Sequence, residues 1–535
     1  MEEFTQEERR LLAPFCSNLD RPIFVLRNLP EVVKGALFSR YSRSVKSLRR
    51  TLLDEFIKGE GSEGMKADPG AGFGSVVATE KAEAFYDRVL LGYGDDSVAE
   101  LAGAHIALED ISIIATKMVE DARIGLSPLE KSTRYVYFDQ KDDMGMWRYH
   151  READLMNSEF SSLYSETCDR LFSTYASLVP KISAYVTEKM PHDEKLSPRA
   201  FEATVRSKTC DIIRGLLPAS TKTNMGFFGN GRAYEYLITK MYADPLAEMR
   251  ALAASVQAEL RTTIPSFVKR PDTEHGIEMQ KYMQATRLDE IGAKTKNENC
   301  AHDEVVLVDH DIDAEERIVA AALYPFTNRS MESLIDDAEC MDPEQREKIL
   351  SAYVGDRQNR RQKPGRAFES ARYTFDICAN YGCYRDIHRH RILTQQRQPL
   401  GCLHGYTLPK EIVDSGFESE FKDAMDTAKN AWERMRAKYP LQAQYVVPLA
   451  YRIRWQMGMN LREVMHFCEL RSARQGHIDY RRIAQGMYKE VGKAHPRLAR
   501  YMKFMDMNEY EFERLDAEKR IDRKMAELEK KGAKS

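Results

Sequence analysis

The sequence predicts an α+β, helix-rich protein in which one structural unit is used twice, with long helices packed on an antiparallel or mixed sheet. Three observations carry this expectation. Helical apolar spacing dominates, short β-branched and aromatic runs punctuate it, and the same landmarks recur in the same order in both halves. At 535 residues the chain exceeds what one hydrophobic core supports and suggests roughly two to four domains.

The first landmark is a strand-like apolar run followed by an amphipathic helix. It reads Ile23-Phe24-Val25-Leu26 then Ala36-Leu37-Phe38, and again Val305-Val306-Leu307-Val308 then Ala322-Leu323-Tyr324. The second is a segment with an acidic residue expected to lead a long helix, Ser97-Val98-Ala99-Glu100 and Arg366-Ala367-Phe368-Glu369. The third is a proline followed by Asn-x-Arg, as Pro218…Asn230-Gly231-Arg232 and Pro448…Asn460-Leu461-Arg462, with the same internal spacing. The offset between copies shrinks along the chain because the first copy carries extra sequence, mainly between Tyr135 and Arg214. The organisation expected is a first repeat over 1–271, a polar connection over 272–304 with a short helix near Ile277 to Ile291, a second repeat over 305–508, and a charged tail over 509–535 read as an exposed helix.

Local signals refine this. Ser197-Pro198 reads as an N-cap with proline at the first helical position, opening a helix that Pro218 stops. Thr133 to Phe138, rich in β-branched and aromatic residues, reads as a strand. Met465 to Leu470 and Ile478 to Tyr488 have helical spacing.

Composition narrows the class. Apolar residues at 43% and charged residues at 30% fit a globular rather than a disordered chain. The net charge of −3 gives no basic field for nucleic acid or a membrane surface. No run approaches the roughly 18–20 apolar residues of a membrane span. Met1 to Arg10 holds four acidic residues and does not resemble a secretory signal. Nine scattered cysteines without a CxxC pair read as reduced thiols of a cytoplasmic protein.

Three charged constellations stand out. His388-Arg389-His390-Arg391-Ile392 packs groups that repel one another unless an anion sits among them, and Arg forks suit phosphate. A solvated basic turn is the plain alternative. A His-x-His metal pair is disfavoured, because no thiol or carboxylate cluster adjoins it in sequence; no metal is expected. Glu130-Lys131-Ser132-Thr133-Arg134-Tyr135 offers a serine and an arginine for phosphate and a glutamate for a hydroxyl or ring N–H; surface charges at a strand entrance would look the same. Glu469-Leu470-Arg471 lies near Arg462 and His466, which share a helix face as i, i+4 neighbours; a charged helix surface is the alternative there.

Together these segments resemble the flavin-dependent thymidylate synthases, whose signature has the form R-H-R-x-x-S-x-N-E-x-S-x-R-Y. The second half matches the front with Arg389-His390-Arg391-Ile392-Leu393-Thr394, then departs at Pro399 and Gly401. The first half matches the back with Glu130-x-Ser132-x-Arg134-Tyr135, while its front reads Glu120-Asp121-Ala122-Arg123. The family's downstream A-R-x-x-L-P, N-x-R and L-R pattern is divided likewise. The first half has Arg214-x-x-Leu217-Pro218, Asn230 and Arg232, with Met241 for the later Arg. The second has Gln444 for the first Arg but keeps Asn460, Arg462, His466 and Leu470-Arg471, followed by Gln475-Gly476-His477-Ile478-Asp479-Tyr480-Arg481. The early G-H-x-S-x-x-E-H pattern is poor in both halves; the first offers Gly94-Asp95-Asp96-Ser97-Val98-Ala99-Glu100-Leu101.

The resemblance implies two copies of the synthase fold and one composite active site. The first half would supply Glu130, Ser132, Arg134 and Arg214 to dUMP. The second would supply Arg471 to the nucleotide, with Arg389, His390, Arg391, Ile392, Asn460, Arg462 and His466 to FAD. Asn230 and Arg232 match flavin contacts of a second, degenerate site. It further implies reductive methylation of dUMP to dTMP, with FAD as cofactor and NADPH and methylenetetrahydrofolate as co-substrates. Arginines and flavin would do this chemistry without a protein nucleophile. Two tandem chains would self-associate to mimic the family's tetramer. The alternative is a catalytically silent nucleotide- or flavin-binding homologue with a structural or regulatory role.

Overall fold

The computed structural model describes residues 3–58, 96–193, 196–285 and 304–532. The early Gly94-Asp95 pair and the end of the helix expected near Ile291 lie outside them. The chain divides into two compact units. One contains 1–111, 115–131 and 223–295, the other 112–114, 132–222 and 296–535.

The first unit is built, except for the strand-end residues Ser112 and Lys222, on a three-stranded sheet. Its strands are β1 (Gly103–Ser112), β2 (Leu126–Glu130) and β3 (Lys222–Asn230), in the order β1-β3-β2. β2 and β3 are antiparallel, with Leu126 opposite Gly229 and Glu130 opposite Met225. A side chain at Gly229 would drive its Cβ into Leu126 and to 2.9 Å from the Tyr234 ring, so glycine suits this close approach.

The second unit holds a four-stranded sheet, β4 (Val305–His310), β5 (Arg372–Asn380), β6 (Thr394–Arg397) and β7 (Arg452–Asn460), ordered β4-β5-β7-β6 and antiparallel throughout. Alternation sets its core face: Tyr373, Phe375 and Ile377 of β5 are fully buried, as are Trp455 and Met457 of β7. Helices Ser161–Lys189, Pro198–Ile213, Glu418–Arg436 and Ile478–Ala494 complete this core. Ser197 caps the second of these through the Ala200 amide, with Pro198 opening the helix.

The duplication is visible in both sheets. β1, β2 and β3 recur as β5, β6 and β7, and each nine-residue strand β3 and β7 runs from its proline-containing turn into a helix capped by asparagine. Inside the second unit the Leu217-Pro218 segment and its counterpart Val447-Pro448 pair directly. The Ala219 amide donates to the Val447 carbonyl at 2.9 Å and the Leu449 amide to the Leu217 carbonyl at 2.9 Å, with Pro218 opposite Pro448. The prolines donate nothing, so their neighbours carry the ladder.

Three local expectations are corrected. Among the described residues Ile23–Leu26 forms no strand: Leu26 alone bridges, to Cys16, and Ile23 and Val25 are exposed. Glu100 and Glu369 lie in short 3₁₀ segments, Asp96–Leu101 and Arg366–Ser370, that lead into strands β1 and β5, not into helices. Thr133–Phe138 is a turn, because Arg134 is drawn inward to a buried carboxylate. The C-terminal helix Leu515–Gly532 is also more anchored than its charge pattern suggests. It packs on Pro198–Ile213 through ion pairs from Arg199 to Glu518 and Asp522. Among the described residues no helix is long and apolar enough to cross a membrane.

Candidate functional site

The second unit contains retained signature residues of both halves. From the first half come Ser132, Arg134 and Arg214; from the second, Arg389, His390, Arg391 and Arg471. Tyr480 contacts one arginine from each half. Arg134 donates to its hydroxyl at 3.2 Å and stands 5.4 Å from the ring centre, and the Arg471 guanidinium lies 5.8 Å from the same centre. Arg385, just before the second-half motif, donates to the Thr133 hydroxyl at 3.3 Å.

The arginines differ in their charge partners. Arg134 makes a two-pronged pair with Asp211, at 2.7 and 2.8 Å, and both side chains are more than nine-tenths buried. Burial alone would raise the Asp211 carboxyl; Arg134, helped by His477 and Arg514, holds it well below the ordinary carboxylate range. Arg214 pairs with Asp386 at 2.9 Å, and that carboxyl too is held down against burial. Arg389 and Arg471 have no carboxylate partner among the described residues. Burial, with Arg389 nearby, lowers the pKa of Arg471 from its ordinary value.

His390 connects to Arg471. Its Nδ1 lies 2.8 Å from Glu463, and its Nε2 accepts from Arg471 Nε at 3.0 Å. A guanidinium only donates, so Nε2 is unprotonated and the proton sits on Nδ1, toward Glu463. Burial and the surrounding cations push the His390 pKa well below its ordinary value, which keeps the ring neutral. His466, whose ring centre is 5.6 Å away, is pushed down by burial to about 4. His390, Glu463 and His466 could together face a metal ion. Both His390 nitrogens are already engaged, however, and Arg471 would repel a cation; the set suits anions better.

Several nominated residues have structural duties. Asn230 and Asn460 cap the Gly231–Tyr242 and Leu461–Arg471 helices, through the Ala233 and Glu463 amides. Arg232 pairs with Glu100 at 2.8 Å and Arg462 with Glu369 at 3.2 Å, the same pair in each copy. Glu130 lies in the first unit, where it accepts from Lys117 at 2.9 Å and Thr116 at 3.0 Å. Glu469 faces away from the motif and clamps buried Arg357 at 2.8 and 2.6 Å. The Ser132 hydroxyl accepts from the Arg134 amide at 3.1 Å, and Arg391 and Ile392 are exposed.

A cavity of about 530 Å³ opens beside this cluster in the second unit, where Asp211, Arg214, Asn380, His477, Asp479 and Glu513 reach it. Sequence reasoning missed Asp211, Asp386 and Glu463 as partners. Each lies within four residues of a signature Arg or His, close to one helical turn, which is a usable signal.

The recurring strands and asparagine-capped helices define a duplicated α+β unit, with arginines of both halves in the second unit. The model of the family described as thymidylate synthase complementing protein matches residues 42–266 and again 306–497. The chain belongs to this family, in tandem arrangement. It is 45% identical to a UPF0159 protein of Chlamydia pneumoniae over 97% of this chain and 98% of that one. It is 33% identical to a UPF0159 protein of Thermoplasma acidophilum, over 91% and 98%. A flavin-dependent thymidylate synthase of Pyrococcus abyssi matches at 32% over 23% of this chain and 56% of its own length.

Proposed function

We propose that the protein converts dUMP to dTMP by reductive methylation, with FAD as cofactor and methylenetetrahydrofolate and NADPH as co-substrates, in a site assembled from both halves. One observation carries the reading: Arg134 of the first half and Arg471 of the second lie 5.4 and 5.8 Å from the centre of one tyrosine ring, while Arg471 and Arg389 lack a carboxylate among the described residues. Guanidinium groups held partly out of water without a counterion favour an anionic ligand.

That cationic cluster fits a flavin dinucleotide. Arg389, His390, Arg391, Ile392, Arg462 and His466 would hold it, with the side-chain NH₂ of Asn460, whose oxygen is engaged as a cap. When bound, the flavin supplies hydride and one-carbon transfer. The chain's own residues bind and polarise. Arg471 spends Nε on neutral His390, which fixes the guanidinium plane and leaves its other N–H groups for charge developing on the uracil ring. Ser132 positions the nucleotide, and Arg134 and Arg214 meet its phosphate after exchanging their carboxylates. Cys383 and Cys468, on the helices before and within the second-half motifs, are poor nucleophiles, since burial raises both thiols well above their ordinary value. Asn230 and Arg232 belong to the degenerate site. Two tandem chains would pair to imitate a tetramer.

The buried Arg134–Asp211 and Arg214–Asp386 pairs favour a second reading, a catalytically silent binder whose phosphate arginines are permanently neutralised. Complementation of a thymidine auxotroph separates the two. Growth with the natural chain and none with R471A supports synthesis. No growth, with soluble protein that binds FAD and absorbs near ~450 nm, supports the silent reading.

A further inference from the structure

The Arg134–Asp211 pair poses a physical difficulty for the proposed site. A phosphate that takes Arg134 must strip it from a buried carboxylate, and an orphaned buried carboxylate is costly. The structure contains a remedy outside the residues matched by the family model, which end at 497.

Arg514, at the start of the C-terminal helix, is buried at 6% exposure. One of its terminal nitrogens donates to the Arg134 carbonyl at 3.2 Å, and its guanidinium lies 4.1 Å from the Tyr135 ring centre. Its Nε and other terminal nitrogen make no hydrogen bond among the described residues, although both are buried. That second terminal nitrogen stands 3.8 Å from Asp211, on the oxygen that Arg134 also holds. Buried donors left without an acceptor are rare and call for an explanation. The neighbouring Glu513, in the turn just before that helix, fixes the approach by accepting from Lys208 at 3.3 Å.

We infer that Arg514 is a positioning residue that receives the Asp211 carboxylate when an anionic ligand takes Arg134. The three groups form a cation–anion–cation row in which one carboxylate serves two guanidinium groups unequally. A shift of roughly 1 Å brings Asp211 into charge-assisted hydrogen-bonding range of Arg514. Arg134 then turns its fork to the ligand while no buried charge loses its partner. The ligand class is a phosphate monoester such as a nucleoside monophosphate. The inference rests on the functional reading above for the place where phosphate binds.

The test is dUMP binding by calorimetry on the full chain, with R514Q, R514K, D211N and D211N/R514Q variants checked for cooperative unfolding. R514Q is expected to weaken binding at least tenfold and R514K by less, because lysine keeps the charge. D211N/R514Q is expected to recover affinity to within threefold of D211N, since a neutral amide needs no receiving cation. A merely structural role for Arg514 predicts no such rescue. Should R514Q fail to fold, R514K carries the test and must bind more weakly than the natural chain. Natural protein that binds dUMP with R514Q or, in that case, R514K unchanged overturns this inference alone. Equal weakening of R514Q and D211N/R514Q relative to their parents also overturns it. Natural protein that binds no dUMP refutes the thymidylate reading and this inference with it.

Discussion

Replacing Asp211 with asparagine should destabilise the second unit severely, because its partner is buried rather than solvated. The Asp211 and Arg134 side chains are 9% and 8% exposed, so water does little to screen them. An exposed pair contributes about 0–1 kcal/mol, whereas removing one partner of a buried pair costs about 3–5 kcal/mol. The amide side chain would keep one acceptor oxygen, which places the expected loss near the lower end, about 3 kcal/mol. Equilibrium urea unfolding followed by tryptophan fluorescence measures it, with D211N compared at matched slope. The pH dependence provides a second reading. Asp211 is held below its unfolded value of about 3.9. Its contribution is therefore complete above that value and is lost as pH falls toward the folded value. D211N should flatten the acid limb between about pH 5 and pH 2. A loss below about 1 kcal/mol with an unchanged acid limb would refute the reasoning, since the pair would then behave as a surface contact.

Other consequences are open to measurement. R471A should lower kcat/KM for dTMP formation by about 10²–10³, the usual cost of one aligned charge-stabilising donor; turnover within threefold of the natural chain would exclude that role. The His390 ring should stay neutral through the ordinary histidine range, since burial holds its pKa well below that range, so its NMR signals should show no titration there; a midpoint at an ordinary histidine value, about 6.5, would contradict the Arg471 contact. N460A should cost about 1 kcal/mol by removing a cap, while N460D keeps the cap and removes only the NH₂ offered to flavin. Equal stability of N460A and N460D would count against the capping assignment.

The sequence made the duplication legible because its landmarks are local. β3 and β7, their proline turns and their asparagine caps recur at fixed spacing, and Ser197-Pro198 opens its helix as expected. Periodicity failed where distant partners decide. Ile23–Leu26 has strand composition, yet Ile23 is 85% exposed and lacks a strand partner among the described residues. Thr133–Phe138 has strand composition too, but the pull of Asp211, 77 residues away, turns the backbone at Arg134. Within the site, the arginines and His390 stand out by type and spacing, while their carboxylates do not. Asp211 and Asp386 look like ordinary helix charges until folding buries them. Arg514 looks like one charge in a solvated tail, although it contacts a carbonyl 380 residues earlier in the chain.

A crystal structure of the full chain with dUMP decides whether both halves build one site. A shared site predicts a nucleotide contacted by Arg134 or Arg214 from the first half and by Arg471 from the second, with Asp211 moved toward Arg514. A nucleotide held by residues of one half alone, or bound away from Arg471, would contradict it.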